Sequence, residues 1–230
     1  MKQIRLACIA SGSGTDFKSI ANAWKDGWLP EVSEVVLIST KEYAGCIDKA
    51  NALGIRHSIV DPGRSKQLPL VSLQNALEEF GGVALIFLVG CIVKVPDLGI
   101  PMYNIHPADP HKHGGQGMYG PKVHLHVLDE INDLIKRGMA LATERFFTEP
   151  TVHEVVDEYD KGHELLRAQV EIPQDFIQAW VTGTYEGNEE DAAKKLQQIV
   201  LPFEHQMLPL AVRIAAKKIL DQQNEQSSCA

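Results

Sequence analysis

The chain has 230 residues, 44% hydrophobic and 23% charged, and its 22 basic against 30 acidic side chains give a net charge of −8 and a pI near 5.6. That length sustains one large domain or two small ones with a real core, and the composition is that of an ordinary globular protein. The acidic balance argues against a nucleic-acid-binding or anionic-membrane surface. No signal-peptide pattern opens the sequence, and no apolar run approaches membrane-spanning length. Cys8, Cys46, Cys91 and Cys229 form no Cys-x-x-Cys pair, and Cys8 and Cys91 lie in apolar runs as buried thiols. A reducing cytoplasm fits that usage.

Residues 2–9 read as a first strand. Ala10-Ser11-Gly12-Ser13-Gly14-Thr15-Asp16 follows, then the helical pattern Phe17, Ile20, Ala21, Trp24. Glycines permit a tight bend, and free N–H groups at a helix start attract phosphate. The loop lacks the third glycine of the dinucleotide fingerprint and the Gly-Lys-Ser/Thr of a P-loop. It reads either as a phosphate cradle or as a plain turn in which Thr15 or Asp16 caps the helix. Val35–Ser39 is a second buried strand, 44–53 a helix ended by Gly54, 55–60 a third strand, 61–65 a loop and 70–80 a helix. The most hydrophobic run, 83–89, reads as a central parallel strand and 102–106 as the fifth. Strands alternating with helices at this spacing predict a doubly wound, mostly parallel α/β sheet that binds ligands at the carboxyl ends of its strands.

At one such end stands Tyr103-Asn104-Ile105-His106-Pro107. Asn104 and His106 are two apart and point to one side of a strand. An amide donor and an imidazole aimed together can hold and protonate a carbonyl oxygen, although strand-end Asn and His residues are also common structural features. Residues 111–120 read as a long loop and 123–137 as a helix. Residues 141–160 and 164–172 read as two strands joined by a turn at 158–162. Residues 175–182 and 189–200 read as helices, Pro202 as a break, 204–221 as a final helix, and the tail from Gln222 as frayed. His106, His111, His113, His124 and His126 invite a zinc reading, but no Cys or partnered carboxylate joins them, so no metal is expected.

The combination resembles the formyltransferase family, on its glycinamide ribonucleotide branch of purine synthesis, over nearly the whole chain. The resemblance is carried by Ser11–Thr15, Ser39-Thr40-Lys41, Val89-Gly90, Asn104-Ile105-His106-Pro107, Thr151–Gly162 and Phe203-Glu204-His205. It implies a Rossmann-like formyltransferase fold with a C-terminal β-hairpin and a terminal helix. It implies one domain over 1–230, with a phosphate-binding half (1–100) and a catalytic, folate-binding half (101–230). It implies Asn104, His106 and Asp160 as the catalytic set, with Asp160 raising the pKa of His106. Gly12, Ser13, Gly14, Thr15 and Asp16 would hold the acceptor's phosphate, and Glu204 its ribose. Ile92, Val93, Lys94, Val95 and Asp157 would line a folate site, with 10-formyltetrahydrofolate as cosubstrate and a small-molecule amine as acceptor. No nucleic-acid or membrane partner is implied, and the state would be monomer or homodimer. Asp16 stands where the family often has Asn, Ala108-Asp109-Pro110-His111 replaces a leucine-rich stretch, Val93 replaces an Arg of some members, and 130–148 is longer than in short relatives. Formyl transfer to another phosphorylated or sugar amine, or hydrolysis of 10-formyltetrahydrofolate, is the alternative on the same site, although the hydrolases carry an added N-terminal domain. Formylation of methionyl-tRNA calls for a further C-terminal domain and a basic surface. An inactive nucleotide-binding module has no chemical need for all three catalytic residues.

Overall fold

The computed structural model describes residues 2–228. Its elements are β1 (Ile4–Ala10), α1 (Thr15–Lys25), β2 (Val32–Ser39), α2 (Gly45–Leu53), β3 (His57–Ile59), α3 (Leu70–Glu79), β4 (Leu85–Leu88) and β5 (Met102–His106). They continue with α4 (Pro110–His113), α5 (Pro121–Lys136), β6 (Phe146–Thr148), β7 (Thr151–Glu154), β8 (Glu164–Arg167), β9 (Val170–Ile172), α6 (Gln174–Thr182) and α7 (Glu189–Ser228). Seven strands form one sheet in the order β3-β2-β1-β4-β5-β7-β8, and β6 and β9 form a separate pair. The first five are parallel, and β7 and β8 close the edge as an antiparallel hairpin.

Strand alternation fills both faces of the sheet. Leu6, Cys8, Val35 and Leu37 pack with α1, α2 and the later part of α7. Ala7, Ile9, Val36 and Ile38 pack with Leu73, Ala76 and Leu77 of α3 on the other face. That two-sided burial is why these strands read as unbroken apolar runs. A third cluster joins α5, α6, β9 and the first turns of α7. The chain leaves β1 toward β2 on one side and reaches β4 on the other, so the loops after β1 and β4 flank the crevice where such sheets bind ligands. No helix among the described residues is long and apolar enough to cross a membrane.

Four local expectations change. Pro202 does not break the chain, and α7 runs through both Pro202 and Pro209. An interior proline costs about 3 kcal/mol. Burial of Leu196 and Val200 before it and of Met207, Leu208 and Val212 after it outweighs that, at roughly 1.5–3 kcal/mol per side chain. The helix also continues from Gln222 to Ser228, where a frayed tail was expected, while Cys229 lies outside the described residues. The two long strands over 141–160 and 164–172 are each interrupted, the first at Glu149-Pro150 and the second at Ala168-Gln169. Proline has no N–H for the ladder, and its carbonyl is taken by the Ala168 N–H at 3.1 Å. Finally, the loop 111–120 opens with the short helix α4, capped by Asp109, which accepts from the His111 N–H at 2.9 Å.

Candidate active site

The ends of β1, β4 and β5 open into one cavity of about 930 Å³. Ser11 ties its floor together: the buried hydroxyl accepts from Thr40 Oγ1 at 2.6 Å and from the Ile92 N–H at 3.1 Å, linking the ends of β1, β2 and β4. The glycine loop is held against α2. Cys46 N–H donates to the Gly12 carbonyl at 3.1 Å, and Lys49 Nζ donates to the Ser13 carbonyl at 2.7 Å. Gly14 adopts φ +73°, and a Cβ there would lie 2.5 Å from Cys46 Cα, so both conformation and space demand glycine. Gly14 is itself the N-cap of α1, and no side chain caps the helix, so neither Thr15 nor Asp16 takes the capping role. The first-turn N–H groups are left without intrahelical acceptors, and Gly12–Asp16 line the cavity. Asp16 turns instead to His205 of α7, with Oδ1 3.4 Å from Nε2.

Asn104 and His106 project from β5 into the same cavity. His106 is buried, and its Nε2–H donates to the His113 carbonyl at 3.1 Å, which leaves Nδ1 toward Asp160 Oδ1 at 4.0 Å. Asp160 sits at φ +57°, the one non-glycine with positive φ among the described residues. It is held there by the Gly115 N–H, which donates to Oδ2 at 2.8 Å. Between Asn104 and Asp160 stands His153. Its Nδ1–H donates to the Glu154 carbonyl at 2.9 Å, so Nε2 is the nitrogen that faces Asn104 Nδ2 at 3.4 Å and Asp160 Oδ1 at 3.4 Å. His153 was part of the motif but had no assigned role. Its place follows from the antiparallel register that pairs Asn104 with His153, which local sequence does not specify.

The electrostatics add a larger, opposing effect to one expectation. The Asp160 charge does pull the His106 pKa upward, but burial is the larger effect and the net direction is down. Asp160 moves the other way. Burial opposes its ionisation, but the His153 contact, the His106 charge and the Gly115 N–H together hold it below the usual carboxylate range. The free site therefore pairs an ionised Asp160 with a His106 that burial keeps neutral.

Ile92, Val93, Lys94, Val95 and Asp157 lie along the same cavity, and Lys94 Nζ reaches the Asp157 carbonyl at 3.4 Å and the Tyr159 ring at 5.9 Å. Glu204 lines it from α7. Every residue expected at the site thus borders one cavity. Tyr119 and Lys66 join them without having been singled out, because a loop's folding-back leaves no periodic signal.

No family model matches the chain. It is 29% identical over 176 residues to the chloroplastic phosphoribosylglycinamide formyltransferase of Arabidopsis thaliana, covering 73% of this chain and 55% of that protein. It is 28% identical over 214 residues to the corresponding protein of Vigna unguiculata, covering 90% of this chain and 59% of that one. The chain thus spans little more than half the length of these curated relatives. Among solved structures, glycinamide ribonucleotide transformylase 1 from Symbiobacterium toebii superposes with a TM-score of 0.67 at 24% identity, covering 94% of this chain and 89% of the other. The Geobacillus kaustophilus enzyme of the same name gives 0.65 at 23%, covering 94% and 99%. The chain therefore has the glycinamide ribonucleotide transformylase fold, and its sequence resembles the phosphoribosylglycinamide formyltransferases.

Proposed function

We propose that the chain transfers a formyl group from 10-formyltetrahydrofolate to the amine of glycinamide ribonucleotide. The observation that carries this reading is the convergence of Asn104, His106 and Asp160 on a cavity that also contains the glycine loop. The acceptor nitrogen attacks the formyl carbon, a C–N bond forms, and the carbonyl oxygen becomes an oxyanion. Asn104 donates its amide N–H to that oxygen. His106 has Nε2 committed to a backbone carbonyl, so Nδ1 is the nitrogen that takes the proton shed by the acceptor's ammonium before attack and then donates to the oxyanion. Asp160 stabilises the imidazolium across 4.0 Å, and a water in the cavity beside the pair carries the second amine proton to the departing folate nitrogen. The C–N bond to folate then breaks.

In this reading Gly12–Asp16 hold the phosphate, Glu204 meets the ribose, and Ile92–Val95 with Asp157 border the folate, so that residues 1–100 serve mainly the phosphate and 101–230 mainly the chemistry. Free Cys8, Cys46 and Cys91 support a reducing compartment, the cytoplasm. The net charge of −8 favours small-molecule substrates over nucleic acid, and the working unit is a monomer or homodimer. Following tetrahydrofolate release with and without glycinamide ribonucleotide tests the proposal. Release that needs the amine supports it, and equal release without the amine makes the chain a hydrolase.

A further inference from the structure

Asp16 and His205 meet where α1 packs on α7, with Asp16 Oδ1 and His205 Nε2 3.4 Å apart. Both atoms are shielded from solvent, and neither has a hydrogen-bond partner. Beside them Glu204 is 6% exposed, its carboxyl held well above the usual range by burial and by the Asp16 charge. Asp16 and Glu204 both border the cavity at the glycine loop. Two acids therefore flank the place that the proposed function gives to a phosphate, and an uncompensated carboxylate there repels a phosphate dianion.

We infer that His205 is a specificity-determining residue: held 3.4 Å from the Asp16 carboxylate, it offsets that charge and so admits a phosphorylated acceptor to the glycine loop. The inference rests on the formyltransferase reading for the identity of that acceptor. Its sign is fixed. Loss of the His205 ring leaves Asp16 uncompensated, so affinity for the phosphorylated ligand falls in its absence. Ionisation of Glu204 acts in the same direction. The other charged or titratable groups on the loop or cavity do not replace His205. Lys49 of α2 is bound to the Ser13 carbonyl, and Lys94 reaches toward Asp157. Lys66, His106, His153 and Asp160 border the cavity but make no ion pair with Asp16.

Titration calorimetry with glycinamide ribonucleotide tests this on the intact chain, His205→Ala, Asp16→Asn and the double variant, with the dephosphorylated riboside alongside. His205→Ala should weaken binding of the phosphorylated ligand on the order of tenfold, as expected for removing one nearby charge. The loss should vanish in the Asp16→Asn background, and the riboside's affinity should not move. A loss that persists in Asp16→Asn, or an equal loss for the riboside, overturns the inference and leaves the function standing. Failure of the intact chain to bind glycinamide ribonucleotide overturns both.

Discussion

His124 lies in α5 with no solvent exposure and with neither ring nitrogen hydrogen-bonded. Burial, and secondarily the neighbouring His106, push its pKa from 6.5 down to about 4. An imidazole kept neutral in the fold but free to ionise in the unfolded chain makes stability depend on pH with one sign. Below about pH 6.5 the unfolded chain takes up the proton first. The contribution is therefore whole above that pH and is lost as pH falls, until the folded state also protonates near about 4. At 1.36 kcal/mol per unit, the loss is roughly 2 kcal/mol by about pH 5 and about 3 kcal/mol in full. His124→Leu removes the titrating group and refills its space with carbon. Urea unfolding of parent and variant at about pH 7.5 and about pH 5 isolates the effect, because the titrating groups that do not interact with His124 cancel in the difference. The variant's stability relative to the parent should rise by about 2 kcal/mol between the two conditions. An unchanged difference would mean that His124 is not a buried neutral imidazole, and the reasoning from its orphaned nitrogens would fall.

Gly114→Ala should disturb the site from a distance: its Cβ would lie 2.2 Å from the Pro110 carbonyl oxygen and 2.8 Å from Asp160 Cβ. We expect about 1–3 kcal/mol of destabilisation in urea melts and a fall in kcat on the order of 100-fold as Asp160 is displaced. His106→Ala should lower kcat by about 10²–10⁴ with an unaltered circular dichroism spectrum, and a folded variant at the parental rate would refute its role. Asp160→Asn should lower kcat and move the limb of the pH–rate profile that follows His106 to lower pH, because the carboxylate's upward pull is gone. An unchanged profile would reduce Asp160 to a turn residue.

Much of the fold was legible because its signals are local. Val35–Ile38 and Leu85–Leu88 are buried on both faces and read as apolar runs, and α2 ends at Gly54, which takes the left-handed conformation that a helix stop requires. The Asn104–His106 pair was legible for the same reason, since a period of two is a property of one strand. What escaped depends on partners far along the chain. His153 reaches the site through inter-strand register, forty-nine residues from Asn104. Asp16 meets His205 only because α1 packs on α7, and the α7 prolines are tolerated only because two separate clusters hold the helix on either side. The direction of the His106 shift also escaped. Sequence supplies the neighbouring carboxylate but not the degree of burial that outweighs it.

The atoms that orient the candidate catalytic groups explain why the departures after His106-Pro107 are compatible with the chemistry. His106 is positioned by the His113 carbonyl, Asp160 by the Gly115 N–H, and His153 by the Glu154 carbonyl. All three are main-chain groups, so they survive changes in the side chains that carry them. The Ala108–His111 stretch can then differ from a leucine-rich pattern at little cost to the site. Ala108 is fully buried in the α5–α6–α7 cluster, and Asp109 is spent on capping α4. Glycine is the exception, because there the backbone itself approaches too closely for a side chain. Gly114 meets Pro110 and Asp160, and a Cβ at Gly162 would lie 1.8 Å from the Glu154 carbonyl oxygen. That oxygen is the one that orients His153. Among the residue identities most tightly bound to the geometry of the site are thus three glycines that carry no side-chain chemistry: Gly14 in the loop after β1, and Gly114 and Gly162 where the loops holding Asp160 and His153 press against their neighbours.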